Sequence, residues 1–334
     1  MLKSHTLAAI RDVILDESSS TQQLHAALDR YAQLATDITG IAPDPSFDGW
    51  ATDAFLDQGV AINPQAAANC LKDYQRSVAF IRGVHAAIEF TRHRFPGEVI
   101  QILYAGCGPY ATLLLPLLDQ YDPTELYICL LDIHQRSLDG VQALISHFGL
   151  DAYGLKLVCA DAVNYQHNTS LHLIITETMQ KSLEQEPQFA VTANLAPQLH
   201  SGGVFLPEKI EVTLALAELE QAPIISLGAV LTLSAASAPS LRKSATRNES
   251  SSTLELPAVK LQVPALAEAH GLEATLFTRI QIFQDYWLHA YDAEITLPQR
   301  CHDISSVQGG DLIRVTYQLG SYPRFNCLVE TSSN

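Results

Sequence analysis

Between residues 99 and 175 the chain passes through four short apolar runs, at 99–104, 126–131, 155–159 and 171–175, separated by longer stretches of which 111–120 and 136–148 carry a helical pattern. Runs that are apolar throughout are strands buried on both faces. Strands that alternate with helices join in parallel through right-handed crossovers. This stretch therefore predicts an α/β unit, a parallel sheet covered by helices on both sides. A further helix over 188–199 is expected to stop at Gly202-Gly203, with a new strand starting at Val204.

The flanks have other periods. Leu24, Ala27, Leu28, Tyr31, Leu34, Ala35 and Ile38 repeat at i, i+3/i+4 behind a Ser/Thr-rich start, which predicts an amphipathic helix over 20–38. A loop containing Pro, Asp and Gly over 41–50 leads to a second helical pattern over 64–92, with Pro64 near its first turn. The first 95 residues thus read as helical. After Pro207 the segments 210–216, 224–233, 254–261, 274–283, 311–317 and 325–329 alternate or are rich in β-formers, so an antiparallel sheet or barrel is expected. Residues 234–252, rich in Ser, Ala and Thr with Arg242, Lys243 and Arg247 among them, read as a mobile surface loop, with a basic docking patch as the alternative.

Composition narrows the function. The 334 residues are 47% hydrophobic, which excludes overall disorder and allows two domains or one large one. Twenty basic residues face 36 acidic ones, a formal charge of -16. Such a surface repels phosphate backbones and attracts cations, so no nucleic-acid partner is expected and a cationic small substrate or cationic peptide is. Arg11 and Asp12 interrupt the start before a signal-peptide core is complete, and no apolar run approaches membrane-spanning length, so no membrane association and a cytoplasmic location are expected. Cys70, Cys107, Cys129, Cys159, Cys301 and Cys327 include no C-x-x-C pair, and neither a disulfide framework nor a metal site is expected.

Three strand ends carry chemistry. Tyr104-Ala-Gly106-Cys-Gly108-Pro-Tyr110 follows the first strand, where two glycines let the backbone approach a ligand; a tight βα turn would use the same residues. Asp132 closes the second strand, a place from which a carboxylate accepts hydrogen bonds from ribose hydroxyls. Asp161-Ala162 closes the third, where a carboxylate and an amide can hold an adenine edge. Either aspartate alone could equally cap a turn. Nicotinamide and adenosylmethionine sites share much of this geometry.

From about Asn69 to Ile210 the sequence resembles the protein arginine methyltransferases. Leu71-Lys-Asp73-Tyr-Gln-Arg76-Ser77 is similar to their L-K-D-x-x-R-T helix, and the resemblance implies that Arg76 binds the methionine carboxylate of S-adenosyl-L-methionine. Tyr104, Gly106 and Gly108 take the place of the cofactor loop, Asp132 that of the ribose-binding acid, and Asp161 and Ala162 that of the adenine-contacting turn. Thr176-Glu177-Thr-Met179-Gln-Lys-Ser-Leu-Glu184-Gln-Glu186 is similar to the family's S-E-W-M-G loop with its second glutamate. Glu177 and Glu186 are thereby implied as the catalytic pair, with Met179 and Glu184 toward the substrate; Glu184 could replace Glu186 as the second carboxylate. The implied organisation is an N-terminal helical segment (1–95), a Rossmann-like cofactor-binding domain (96–208) and a β-rich, barrel-like substrate or assembly domain (209–334), with a homodimer as a further expectation from the family.

The departures bear on the substrate. Tyr104 replaces the acid at the start of the glycine motif and Tyr110 its last glycine. No Y-F-x-x-Y motif precedes Arg76 and no T-H-W loop appears in the β-rich region. The peptide clamp of the family is thus missing, and the expected activity is N-methylation of a small guanidino or amine compound, such as free arginine or a natural-product intermediate. Two alternatives stay open: methyl transfer to oxygen or carbon with His134, His172 or His200 as base, and a non-catalytic cofactor-binding partner protein.

Overall fold

The computed structural model describes residues 2–43, 53–218, 223–248, 253–265, 272–304 and 306–330. Two helices lead, α1 (Leu2–Leu15) and α2 (Thr21–Thr39). Ser20 and Gln23 form a capping box at the start of α2, and Gly40 closes its other end in the left-handed conformation. Of the expected 41–50 loop, positions 44–50 lie outside the described residues. An unanticipated hairpin follows, β1 (Ala54–Leu56) against β2 (Gly59–Ala61).

The long helix expected over 64–92 is broken in two. α3 (Pro64–Asn69) passes through a 3-10 turn at Cys70–Lys72, and α4 (Tyr74–Arg94) restarts after Asp73, which has a non-helical ψ of 82° and caps the new helix by accepting from the Arg76 N–H. The break places Arg76 in a first turn.

The parallel sheet is present, in the order β5-β4-β3-β6-β7: β3 (Ile100–Ala105), β4 (Leu126–Asp132), β5 (Lys156–Cys159), β6 (Leu171–Thr176) and β7 (Leu199–Leu206). β7 begins at Leu199 and carries the Gly202-Gly203 pair inside it, beside an irregularity in the β6 pairing, so the strand starts earlier than the glycines suggested. Side chains alternate between two faces. Ile102, Tyr104, Ile128, Leu130, Leu173 and Ile175 pack toward α1, α2, α4 and α5 (Gln135–Phe148). Leu103, Ala105, Cys129, Leu131 and Ile174 pack toward α6 (Gln188–Leu195). No α-helix fills 111–120: Ala111 has a φ of 43°, and Pro116, lacking an N–H, opens a 3-10 helix at Leu115–Gln120.

The remainder is antiparallel, in two sheets that share one core with the helical face. The first contains β8 (Lys209–Ala217) and β9 (Ile225–Leu233). The chain then forms α7 (Ala238–Ser244), β10 (Thr246–Arg247), β11 (Leu254–Glu255), β12 (Val259–Gln262), β13 (Glu273–Phe283), β14 (Tyr286–Leu288), β15 (Gln299–Arg300), β16 (Leu312–Leu319) and β17 (Arg324–Glu330). β14-β13-β8-β9 with β15 make one sheet, and β10-β11-β16-β12 with β17 the other. Residues 234–248 are therefore not a plain loop, since α7 packs on α6 and Thr246–Arg247 is paired in a sheet; positions 249–252 lie outside the described residues. The 254–261 run is two strands rather than one, with Pro257 between them unable to donate to a ladder. No helix among the described residues is long and apolar enough to cross a membrane.

Candidate active site

A cleft opens at the C-terminal ends of β3, β4, β5 and β6. It is walled on the far side by Leu56, Ala61 and Ile62 of the hairpin region, by Cys70 and Leu71, and by Arg76 and Ser77 at the start of α4. Tyr104, Gly106, Gly108, Asp132, Asp161, Ala162, Glu177 and Glu186 all border this space.

The glycine loop is shaped by its neighbours. Gly106 has a φ of +73°, and a Cβ there would lie 2.5 Å from the Thr178 side chain and 3.4 Å from the Glu177 carbonyl, so the loop and the first-glutamate segment touch where no side chain fits. Asp132 is buried, and its two carboxylate oxygens each accept a backbone N–H, from Gly108 and from His134, both at 2.9 Å. Burial raises the pKa of Asp132, against the effect of those two N–H groups. Asp161 accepts from the Val163 N–H at 2.9 Å and the Asn164 amide at 3.2 Å, so it caps its turn while also bordering the cleft.

Arg76 is the one lysine or arginine on the cleft wall among the described residues. It is buried and forms an ion pair with Glu177. Burial lowers the pKa of the guanidinium, but Glu177, with Cys70 and Glu186, more than offsets it and holds Arg76 charged, above its ordinary pKa. Glu177 itself is framed by Gln188. The Gln188 side-chain oxygen accepts from the Thr178 N–H at 3.1 Å and hydroxyl at 2.8 Å, and its nitrogen donates to the Thr176 hydroxyl at 2.8 Å. The residues on either side of Glu177 are thus clamped by one fully buried amide. No local sequence signal marked Gln188, which reads as an ordinary first residue of a helix.

The second-glutamate loop is strained. Ser182, Leu183 and Gln185 have φ values of 53°, 54° and 66°, unusual for residues with side chains. Three distant elements hold it: the Tyr317 hydroxyl donates to Leu183 O at 2.7 Å, the Gln185 N–H to Pro323 O at 2.8 Å, and the Val60 N–H to Gln185 O at 2.8 Å. This path buries Glu186 against the cleft and turns Glu184 away, where Gln299 donates to it in a separate recess. Burial first, and Glu177 second, push the Glu186 carboxyl up to about 8. Met179 is packed in the core and does not border the cleft. Of the three histidines, only His134 reaches the cleft; His172 and His200 pack around Phe95, one tilted and one edge-on, with ring centroids 4.6 and 5.1 Å from it. Cys70 also borders the site, its thiol pushed up to about 11 by burial.

The same architecture occurs in solved structures. Protein arginine methyltransferase 10 of Arabidopsis thaliana, described in a uniquely open conformation, aligns at a TM-score of 0.52 with 13% identity, over 79% of this chain and 93% of that one. The chain has the fold of a protein arginine methyltransferase. The Trypanosoma brucei PRMT1 enzyme–prozyme heterotetramer with AdoHcy aligns at a TM-score of 0.46 with 12% identity, over 78% of this chain and 96% of that one. No protein-family model and no curated protein matches the sequence.

Proposed function

We propose that this protein is an S-adenosyl-L-methionine-dependent N-methyltransferase whose acceptor is a small guanidino or amine compound. The observation that carries the reading is that Glu177 and Glu186 border the same cleft as the Gly106–Gly108 loop and Asp132. The residues fit the cofactor: the Gly106–Gly108 backbone borders the cleft, and a buried carboxylate stands at the end of the next strand. When bound, adenosylmethionine supplies a methyl group activated by its sulfonium.

The chain's own residues divide the remaining work. Asp132 accepts from the ribose hydroxyls, Asp161 and Ala162 flank the base, and Arg76 offers its remaining N–H groups to a carboxylate. Glu177, fixed by Gln188 and Arg76, binds the cationic acceptor and orients the nitrogen that attacks. Glu186, titrating near 8, holds a proton in the free protein at neutral pH and gives it up to solvent when the cation binds; its carboxylate then receives the proton that the nitrogen loses on methylation. The absent aromatic and T-H-W motifs support a small acceptor, as does the hairpin tied by Val60 to the Gln185 carbonyl.

The test is transfer of labelled methyl from adenosylmethionine to a panel of free arginine, other guanidino compounds, amines and arginine-containing peptides. Label on a small compound and not on peptides is expected. Label on peptides alone would overturn the small acceptor, and absence of adenosylhomocysteine binding by calorimetry would overturn the cofactor.

A further inference from the structure

We propose that helix α2 positions the glycine loop through hydrogen bonds that converge on Tyr110, making Tyr31, Thr36 and Tyr110 positioning residues for the cofactor. The proposal rests on the adenosyl-cofactor reading of the cleft. A glycine loop that ends a parallel strand ordinarily runs directly into the N-terminus of a helix. Here the chain turns at Ala111, and no α-helix follows before β4. Another element must hold the loop.

That element is α2. The Tyr31 hydroxyl donates to the Tyr110 carbonyl at 2.7 Å. The Tyr110 hydroxyl donates to the Ile41 carbonyl, just past the end of α2, and lies 2.9 Å from the Thr36 hydroxyl. Both tyrosines are almost wholly buried, at 0% and 1% exposure, so water cannot replace these partners. The preceding residue is wedged from the other side: a Cβ on Gly140 of α5 would stand 3.0 Å from the Pro109 carbonyl and 3.4 Å from side-chain atoms of Thr39 and Ile41. The clamp reaches the cleft through adjacent backbone, because Gly108, Pro109 and Tyr110 border it and the Gly108 N–H is bound to Asp132. The tyrosine that stands where the family's motif has a glycine is thus an anchor for the loop. A loop freed from α2 populates its binding-competent form only part of the time, and apparent affinity falls by that fraction.

Calorimetric titration of the full chain with adenosylhomocysteine tests this. Tyr31→Phe and Tyr110→Phe should each weaken binding roughly tenfold, with turnover at saturating cofactor and the acceptor KM unchanged. Tyr153→Phe is the control, since its hydroxyl also bonds main-chain carbonyls, those of Leu118 and Tyr121, but away from the cleft; it should bind as wild type. Amide exchange at residues 106–112 should accelerate in the first two variants and not in the control. Should either fail to fold, Thr36→Val is the substitute, because the Tyr110 hydroxyl then keeps its bond to Ile41. Equal affinity in wild type, Tyr31→Phe (or its substitute) and Tyr110→Phe overturns the latch. Failure of the wild type to bind overturns the cofactor reading and the latch with it.

Discussion

Replacing Glu186 with Gln should abolish a specific slope in the dependence of stability on pH. A carboxyl that ionises at 4.5 in the unfolded chain and near 8 in the folded one leaves the folded state with one extra proton between those values. The sign follows: stability contributed by this group is greatest below pH 4.5, declines by about 1.4 kcal/mol per pH unit through the window, and levels off above 8, a total of at most about 5 kcal/mol. The causes are burial and the Glu177 charge, with Arg76 acting in the opposite direction. Urea unfolding of wild type and Glu186→Gln, followed by circular dichroism from pH 5 to pH 9, isolates the group, because titrations not coupled to Glu186 cancel in the difference between the two proteins. The wild type should lose stability relative to the variant as pH rises to 8 and hold a constant deficit beyond. In a Glu177→Gln background the window should end at lower pH, since a neighbouring negative charge has gone. A difference between wild type and Glu186→Gln that stayed flat from pH 5 to pH 9 would mean that Glu186 ionises as an exposed carboxyl does, and the reasoning from burial would be wrong.

Other outcomes follow from the same cleft. Glu177→Gln should lower turnover by about 100-fold or more with adenosylhomocysteine affinity little changed, measured by steady-state kinetics and calorimetry; near wild-type turnover would remove the two-carboxylate mechanism. Binding of a cationic acceptor at pH 7 should release about one proton, from Glu186, read as a dependence of calorimetric heat on buffer ionisation enthalpy; heats independent of buffer would contradict it. Gly106→Ala should cost about 1–2 kcal/mol in backbone strain and also displace Thr178, so it should impair activity more than Gly108→Ala, whose new Cβ would sit an ordinary 3.6 Å from Ala67; equal losses in kcat/KM would refute the close approach. Asp132→Ala should weaken adenosylhomocysteine binding by roughly 1.5–3 kcal/mol, through the sugar and through release of the Gly108 N–H that the carboxylate holds.

The parallel sheet, the amphipathic α2 and α5, and the antiparallel second half were readable in the sequence, because each is written as a local period of apolar residues whose faces must be buried. The same holds for Gly106, Gly108, Asp132 and Glu177, since residues at successive ends of parallel strands are brought to one edge by the sheet itself. Irregular backbone has no such rule. Whether Glu184 or Glu186 borders the cleft depends on three left-handed residues held by Tyr317, Pro323 and Val60, contacts that join the β-rich half and the N-terminal hairpin to one loop. The ion pair of Arg76 with Glu177, the clamp of Gln188 around it and the tie of Tyr110 to α2 are likewise products of packing. Periodicity sets which side of an element is buried; the direction of a side chain in a turn, and the pKa that goes with it, is set by groups far away in the chain that only the folded structure brings within hydrogen-bonding reach.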